Sequence, residues 1–312
     1  MRTMKAVCIY SYGGPDVLVY EDAPRPHPAA GEVLIRVHAA GINPVDWKIR
    51  EGHLKEMIKH TLPLVLGWDV SGVVEALGSG VTRLKVGDEV FSRPDIARDG
   101  AYAEYLVIRE TEVALKPKNL DHIHSAALPL AGLTAWQTLF DAGGLTAGQR
   151  VLIHGAAGGV GHLAVQLAKW KGAQVIGTAS DKNHDFLREL GVDQVIAYQT
   201  VRFEEAVQPV DVVLDTMGGE VQLRSWKVLK RGGILVSIAA PPSPEIATAY
   251  GARSAFVFTQ PNAAQLAEIA KLAEIEKLKV IVEKILPLAE AARAQQLSER
   301  GHMRGKIVLR VD

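Results

Sequence analysis

His154–Trp170, HGAAGGVGHLAVQLAKW, decides how the rest of the chain is read. It follows a short apolar strand pattern at Val151–Ile153 and runs at once into an apolar helix pattern. Between them, Ala156-Ala157-Gly158-Gly159-Val160-Gly161 matches the dinucleotide pattern G-x-G-x-x-G, with alanine in place of the first glycine. Gly158 lets the backbone approach a pyrophosphate, and Gly161 lets helix and strand pack closely. The helix expected from Gly159 to Lys171 turns its N-terminal N–H groups and partial positive charge toward that phosphate. A lone match to this pattern says little. A strand before it, a helix after it and a βαβ context make it a phosphate cradle rather than a plain tight turn.

Reading outward toward the C-terminus, strands alternate with helices. QVIGTAS (Gln174–Ser180) precedes a helix over Asn183–Leu190, and QVIAY and VDVVLDTMG follow. A helix over Val221–Leu229 then leads to GGILVSIAA. Short apolar runs alternating with helices indicate a parallel sheet covered on both faces, a doubly wound α/β (Rossmann) domain. Reading toward the N-terminus, the character is all-β with glycine corners. KAVCIY, EVLIRVHAAG, VSGVVEALGSGV, LKVGDEVFS and AYAEYLVI (Ala101–Ile108) read as the short strands of a small barrel. Near the end, QPNAAQLAEIAKLAEIEKLK is an amphipathic helix with Leu266, Ile269, Ala270 and Ala273 on one face. KVIVEKILPL and GKIVLRV are strand-like and are expected to return to the first domain. The division is therefore 1–121 with 260–312 as a β-rich domain, and 122–259 as the dinucleotide domain.

The second strand of the α/β domain bears on the cofactor. An NAD site wants an acid at its end, ~20 residues past the glycines. That place falls at Ala179, followed by Ser180, Asp181 and Lys182. A hydroxyl and a cation suit a 2′-phosphate, and Asp181 reads as a helix-start cap. The expectation is NADPH.

Composition narrows the rest. Lys+Arg and Asp+Glu are 35 each, so charge gives no reason to expect nucleic acid or a charged membrane surface. No apolar run reaches the ~18 residues of a membrane span. The N-terminal MRTMKAVCIYSYGGPD has no signal-peptide core, and a cytoplasmic protein is expected. Cys8 is the single cysteine, which excludes a multi-cysteine zinc site. His122 and His124, two apart, read as solvated or capping histidines. A Walker A loop, a G-x-S-x-G elbow and a Tyr-x-x-x-Lys pair are missing from the sequence.

AGINPVDWKIREG (Ala40–Gly52), LGWDVSGVVEALGSGV, LKVGDEV, AALPLAGLTAW (Ala126–Trp136), GAAGGVG and GKIVL occur here in one order. That series resembles the medium-chain dehydrogenase/reductase superfamily, in its zinc-independent, zeta-crystallin-like quinone oxidoreductase branch. The resemblance implies a GroES-like catalytic domain beside the Rossmann domain, with the cofactor in the cleft between them, and a homodimer. It also places Asn43 where zinc-dependent relatives have a cysteine ligand, Trp68 where they have a histidine ligand, and Asp69 in the place of an acid. Asn43 and Trp68 cannot supply the three-ligand site of a catalytic zinc.

The resemblance assigns further residues one at a time. Asn43 stands beside the nicotinamide. Lys48, where many members have tyrosine, is a candidate to stabilise or protonate an enolate. Thr134 contacts the nicotinamide ribose or amide, and Gly158, Gly159, Val160 and Gly161 form the pyrophosphate turn. Ser180, Lys182 and Tyr198 line the 2′-phosphate pocket. Ile238 and Ala239 line the nicotinamide, and Phe256, Val257 and Phe258 fall near the substrate side. Asp46 is expected to bond the backbone of its own turn. The first expectation is an NADPH-dependent, zinc-independent reductase of small-molecule quinones or α,β-unsaturated carbonyls. The alternatives are a non-catalytic NADPH-binding redox sensor and an enoyl-thioester reductase, the latter hinted at by Arg50, Lys55 and Lys59.

Overall fold

Residues 2–311 are described in a computed structural model. The chain runs through β1 (Thr3–Ile9), β2 (Leu18–Pro24), β3 (Glu32–Ile42), α1 (Pro44–Arg50), β4 (Leu64–Val65), β5 (Val70–Leu77), β6 (Glu89–Ser92), β7 (Tyr105–Arg109) and β8 (Val113–Leu115). Next come α2 (His122–Ala126), α3 (Pro129–Trp136), β9 (Arg150–Ile153), α4 (Gly161–Trp170), β10 (Gln174–Ala179), α5 (His184–Glu189), β11 (Gln194–Ala197), α6 (Phe203–Ala206), β12 (Val210–Asp215), α7 (Gly219–Ser225), β13 (Leu229–Ser237), α8 (Pro244–Ala249) and β14 (Arg253–Phe256). The last elements are α9 (Ala263–Glu274), β15 (Val282–Pro287), α10 (Ala291–Arg300) and β16 (Lys306–Arg310). The fold is mixed α/β in two contact units. One holds Met1–Leu130, Gln260–Glu276 and Val280–Asp312; the other holds Ala131–Thr259 and Lys277–Lys279.

The first unit is built on a seven-stranded sheet. Its order is β15-β16-β3-β5-β6-β8, with β7 also paired to β3, and a small β2-β1-β4 sheet accompanies it. β3 is long because its burial continues past simple alternation, with Ala39 through Ile42 all buried. β16 pairs antiparallel to that same end, Ile307 opposite Ile42 and Leu309 opposite Ala40. The late chain segment thus completes the early sheet.

The second unit is a six-stranded sheet in the order β11-β10-β9-β12-β13-β14, all pairs parallel. Val151–Ile153, Val175–Ala179 and Val212–Asp215 are buried without alternation, as strands covered on both faces must be. Strand order reverses between β9 and β12, so the crevice at the carboxyl ends there is where such a sheet takes its ligand.

Several expected boundaries shift. α4 begins at Gly161 rather than Gly159, because Gly158 N–H first closes a tight turn onto Gly155 O at 2.9 Å. The expected helix over Val221–Leu229 is α7 followed by a tighter turn over Trp226–Val228, and Leu229 already belongs to β13. Ala101–Glu104 lie outside β7, since Tyr102 is drawn into the core with its N–H on Leu66 O at 2.9 Å. The change of unit comes after Leu130, not at Asp121, because α2 packs on β3 and β5.

Candidate active site

In the second unit the glycine-rich turn has the close geometry that a phosphate cradle needs. A Cβ on Gly161 would lie 2.2 Å from Gly155 O, and one on Gly158 would lie 3.2 Å from the same oxygen. The left-handed residue is Gly155, at φ +60°, one position before the alanine that replaces the first glycine. That explains why alanine is tolerated at 156: the sharp turn is made by its neighbour. Ala156 is itself buried against Gly177, where a Cβ would meet Ala156 Cβ at 2.9 Å. From Gly161 to Ala168 every residue of α4 is buried, so its small residues set how closely helix and sheet approach.

Other expected cofactor residues lie at the same carboxyl edge of the sheet. Ser180 follows β10 and accepts a bond from Asn183 Nδ2 at 3.1 Å. Lys182 is exposed in the next turn. The Asp181 carboxylate lies 3.7 Å from His184 Nε2 on that turn. Tyr198 follows β11, half exposed, with its N–H on Ala179 O at 3.2 Å. Ile238 and Ala239 follow β13, both partly exposed. Phe256 ends β14 in register with Ser237, while Val257 and Phe258 are partly exposed beyond it. Thr134, on α3, is buried and shares a 2.7 Å hydroxyl contact with Thr259.

Asp215 is a residue that sequence reasoning missed. It is fully buried at the end of β12. Its carboxylate accepts from Met217 N at 2.9 Å, Gly218 N at 2.8 Å, Gln222 Nε2 at 2.9 Å and Ser237 Oγ at 2.8 Å. Ser237 Oγ in turn accepts from Ala239 N at 3.2 Å. One carboxylate therefore ties together the loops after β12 and β13. The signal was the acid ending an apolar strand just before a glycine pair, DTMGG. His154, opening the turn, is also buried, between Thr178 Oγ1 at 3.1 Å and Ser225 Oγ at 2.9 Å. Burial drives its imidazole down to about 4.

In the first unit a buried polar network surrounds Asn43. Its backbone N–H donates to Asp46 Oδ2 at 2.8 Å, so Asp46 does bond its own turn. The same oxygen accepts from Tyr102 OH at 2.7 Å. Asn43 Nδ2 donates to Asp69 Oδ2 at 2.8 Å, and Asn43 Oδ1 accepts from Lys306 Nζ. Lys306 also donates to Ile42 O at 3.0 Å and to Asp69 Oδ2 at 3.1 Å. Burial pushes the Asp46 carboxyl up to about 7, against the opposing pull of Tyr102 and the Asn43 N–H. Lys306 was read only as a strand residue of GKIVL; its partners are too far away in sequence to be inferred locally.

The remaining candidates separate. Lys48 is half-buried on α1, its Nζ 5.7 Å from the Trp47 ring centroid. Trp68 is fully buried and donates its indole N–H to Arg98 O at 3.1 Å. Arg50 is fully buried, on Gly13 O at 3.1 Å and Gln295 Oε1 at 2.9 Å, so it cannot serve the basic groove suggested with Lys55 and Lys59. His122 is not solvated as expected: it stacks on His38 at 4.5 Å and meets Ser71 Oγ at 2.8 Å. His124 caps with Asp121, 2.7 Å away. Among the described residues no three His, Cys, Asp or Glu side chains are grouped to hold a metal ion.

Residues 29–118 match the family model of the alcohol dehydrogenase GroES-like domain, and residues 190–309 that of the zinc-binding dehydrogenase. The 2-methylene-furan-3-one reductase of Solanum lycopersicum is 39% identical, with 98% of this chain and 79% of that protein covered. The NADPH-dependent alkenal/one oxidoreductase of Arabidopsis thaliana is 37% identical, with 99% and 80% covered. Among solved structures, the quinone oxidoreductase from Coxiella burnetii superimposes with a TM-score of 0.92 at 40% identity, with 100% of both chains covered.

Proposed function

As the chain belongs to the medium-chain dehydrogenase/reductase superfamily, in its quinone-oxidoreductase-like branch, and is an enzyme of that type, we propose that it uses NADPH to reduce quinones or α,β-unsaturated carbonyls without zinc. The observation that carries this reading is the Asn43 amide, buried and bonded where zinc-dependent relatives place a metal-binding cysteine. An amide bound to an ammonium and a carboxylate is a poor metal ligand but a well-placed hydrogen-bond donor. Trp68 supports the same reading, since an indole N–H already committed to Arg98 O cannot replace a histidine ligand. The matched family's zinc-binding description therefore does not extend to a catalytic zinc in this proposal.

The cradle residues fit a dinucleotide. Gly161 has no room for a side chain and Gly158 little, and the N-terminus of α4, which suits a phosphate, follows directly. Ser180 and Lys182 support NADPH over NADH, with Asp181 drawn toward His184. The named activity of the Arabidopsis relative agrees.

The bound cofactor supplies the hydride; the protein must orient the acceptor and hold the charge that forms. The charge that reduction puts on the acceptor's carbonyl oxygen would be held by the remaining Asn43 N–H. Lys48, on the helix that Asn43 caps, would add positive charge, and solvent would supply the final proton.

The test is NADPH oxidation, followed by its near-ultraviolet absorbance, with ortho- and para-quinones, an enone, a 2-alkenal, an enoyl-CoA and a saturated aldehyde. Turnover of quinones or enones, faster with NADPH than NADH and indifferent to chelator, is expected. Lys48→Met should lower kcat about tenfold, in line with loss of one charge-stabilising group. Aldehyde reduction abolished by chelator would overturn the zinc-free reading.

A further inference from the structure

We propose that Lys306 and Asp69 form a pair that positions and polarises the Asn43 amide, sharpening its remaining N–H as a donor to substrate. The proposal rests on the reading of Asn43 as that donor. Lys306 and Asp69 have side chains only 3% and 0% exposed. A buried ion pair of this kind contributes little net stability, and similar-sized apolar residues often do as well. Yet the fold is shaped to keep it. Residue 41 is glycine, where a Cβ would lie 2.8 Å from Asp69 Cβ, 2.9 Å from its Oδ2 and 2.5 Å from Ala126 O. Asp69 Oδ1 is occupied by Leu130 N at 2.5 Å, which turns Oδ2 to Asn43 and Lys306. The ammonium meets three acceptors: Ile42 O, Asn43 Oδ1 and Asp69 Oδ2.

Asn43 is thereby gripped at three atoms. Asp46 holds its backbone N–H, Lys306 its carbonyl oxygen and Asp69 one amide hydrogen. An ammonium only donates and a carboxylate only accepts, so the amide has one possible orientation. Both contacts also act in the same electronic direction. A cation at the oxygen and an anion at one N–H favour the charge-separated form of the amide, O⁻–C=N⁺H₂. Burial strengthens that effect, because little water screens it. The second amide hydrogen is left more positive and fixed in direction. Lys306 is thus a positioning residue, acting through Asn43.

The experiment is the charge-free variant Lys306→Met/Asp69→Asn, which leaves no lone buried charge, compared with Lys306→Arg. The double change should leave NADPH Kd and quinone KM nearly unaltered while kcat falls about tenfold to a hundredfold, less than or equal to the loss of a whole oxyanion donor. Lys306→Arg should restore most of it. In an Asn43→Ala background the same double change should move kcat less than about twofold, because groups acting through one residue are not additive. A second readout needs no turnover: the Asn43 side-chain amide resonance in ¹⁵N-asparagine-labelled protein, assigned by its loss in Asn43→Ala. It should lie downfield in the native enzyme and return to the ordinary asparagine range in the variant. If the charge-free chain fails to fold, Asp69→Asn alone, retaining a carbonyl for Leu130 N, gives the same spectral comparison. An unchanged resonance, full kcat in the variant or additive losses would each overturn the pair's role. Absence of turnover in the native enzyme would instead overturn the proposed function, leaving the resonance to decide the pair.

Discussion

Asp46 and His154 are both buried, and they titrate against the fold in opposite senses. Asp46 bonds through one oxygen only; Oδ1 is buried without a hydrogen-bond partner. Its folded value of about 7 lies above the ordinary 3.8, so the native state binds the proton more tightly than the unfolded chain. Stability therefore falls as pH rises from about 4 to 7, by up to about 4 kcal/mol. His154, folded near 4 against an ordinary 6.5, does the reverse: its contribution is complete above 6.5 and is lost as pH falls toward 4. Denaturant melts across pH 4–8 should show Asp46→Asn flattening the first slope and His154→Gln the second. A profile unchanged in either variant would contradict that residue's assignment. Legibility at this scale follows sequence distance. The Asp46–Asn43 bond spans three residues and fits the expectation that Asp46 bonds the backbone of its own turn. The Lys306–Asn43 contact spans 263 residues, and nothing in GKIVL distinguishes that lysine from an ordinary strand residue.

The elements that sequence defines best are those whose backbone leaves no choice of residue. Gly161 is such a case, with Gly155 O only 2.2 Å from a would-be Cβ. Gly161→Ala is expected to cost about 1–3 kcal/mol by overpacking and to weaken binding of the nicotinamide cofactor more than tenfold, measured by thermal melts and cofactor fluorescence titration. Native affinity in that variant would remove the turn from the cofactor site. The strand–turn–helix unit was legible because its apolar runs and glycines are local signals. The residue that makes the left-handed turn was not, since Gly155 and Ala156 differ by one register position that only backbone geometry resolves. Helix ends moved for a similar reason: tight turns over Asp181–Asn183 and Trp226–Val228 take residues that a 3.6-residue pattern would give to the helix.

At the scale of the whole chain, the first unit needs both ends of the sequence. β16 lies between β15 and β3 in the seven-stranded sheet. The second unit draws its six strands from the middle. Ending the chain after Ile281 should therefore strip hydrogen-exchange protection from β3 while β9 and β10 keep theirs. Equal loss in both would show one cooperative unit. The return of the chain was legible from the strand-like GKIVLRV, but its pairing partner was not, because β-register depends on contacts between distant segments. The same placement of β16 sets a clock during synthesis. Ile42 leaves the ribosome 264 residues ahead of Lys306; at about 5–20 residues per second, that is a wait of roughly 13–50 s. Until it ends, the Ala39–Ile42 end of β3 lacks the strand that flanks it in the finished sheet and Asn43 has no ammonium, while the six strands of the second unit emerge in the meantime. The Asn43 amide is made early, but the ammonium that holds it comes among the last residues made, after every strand of the second unit.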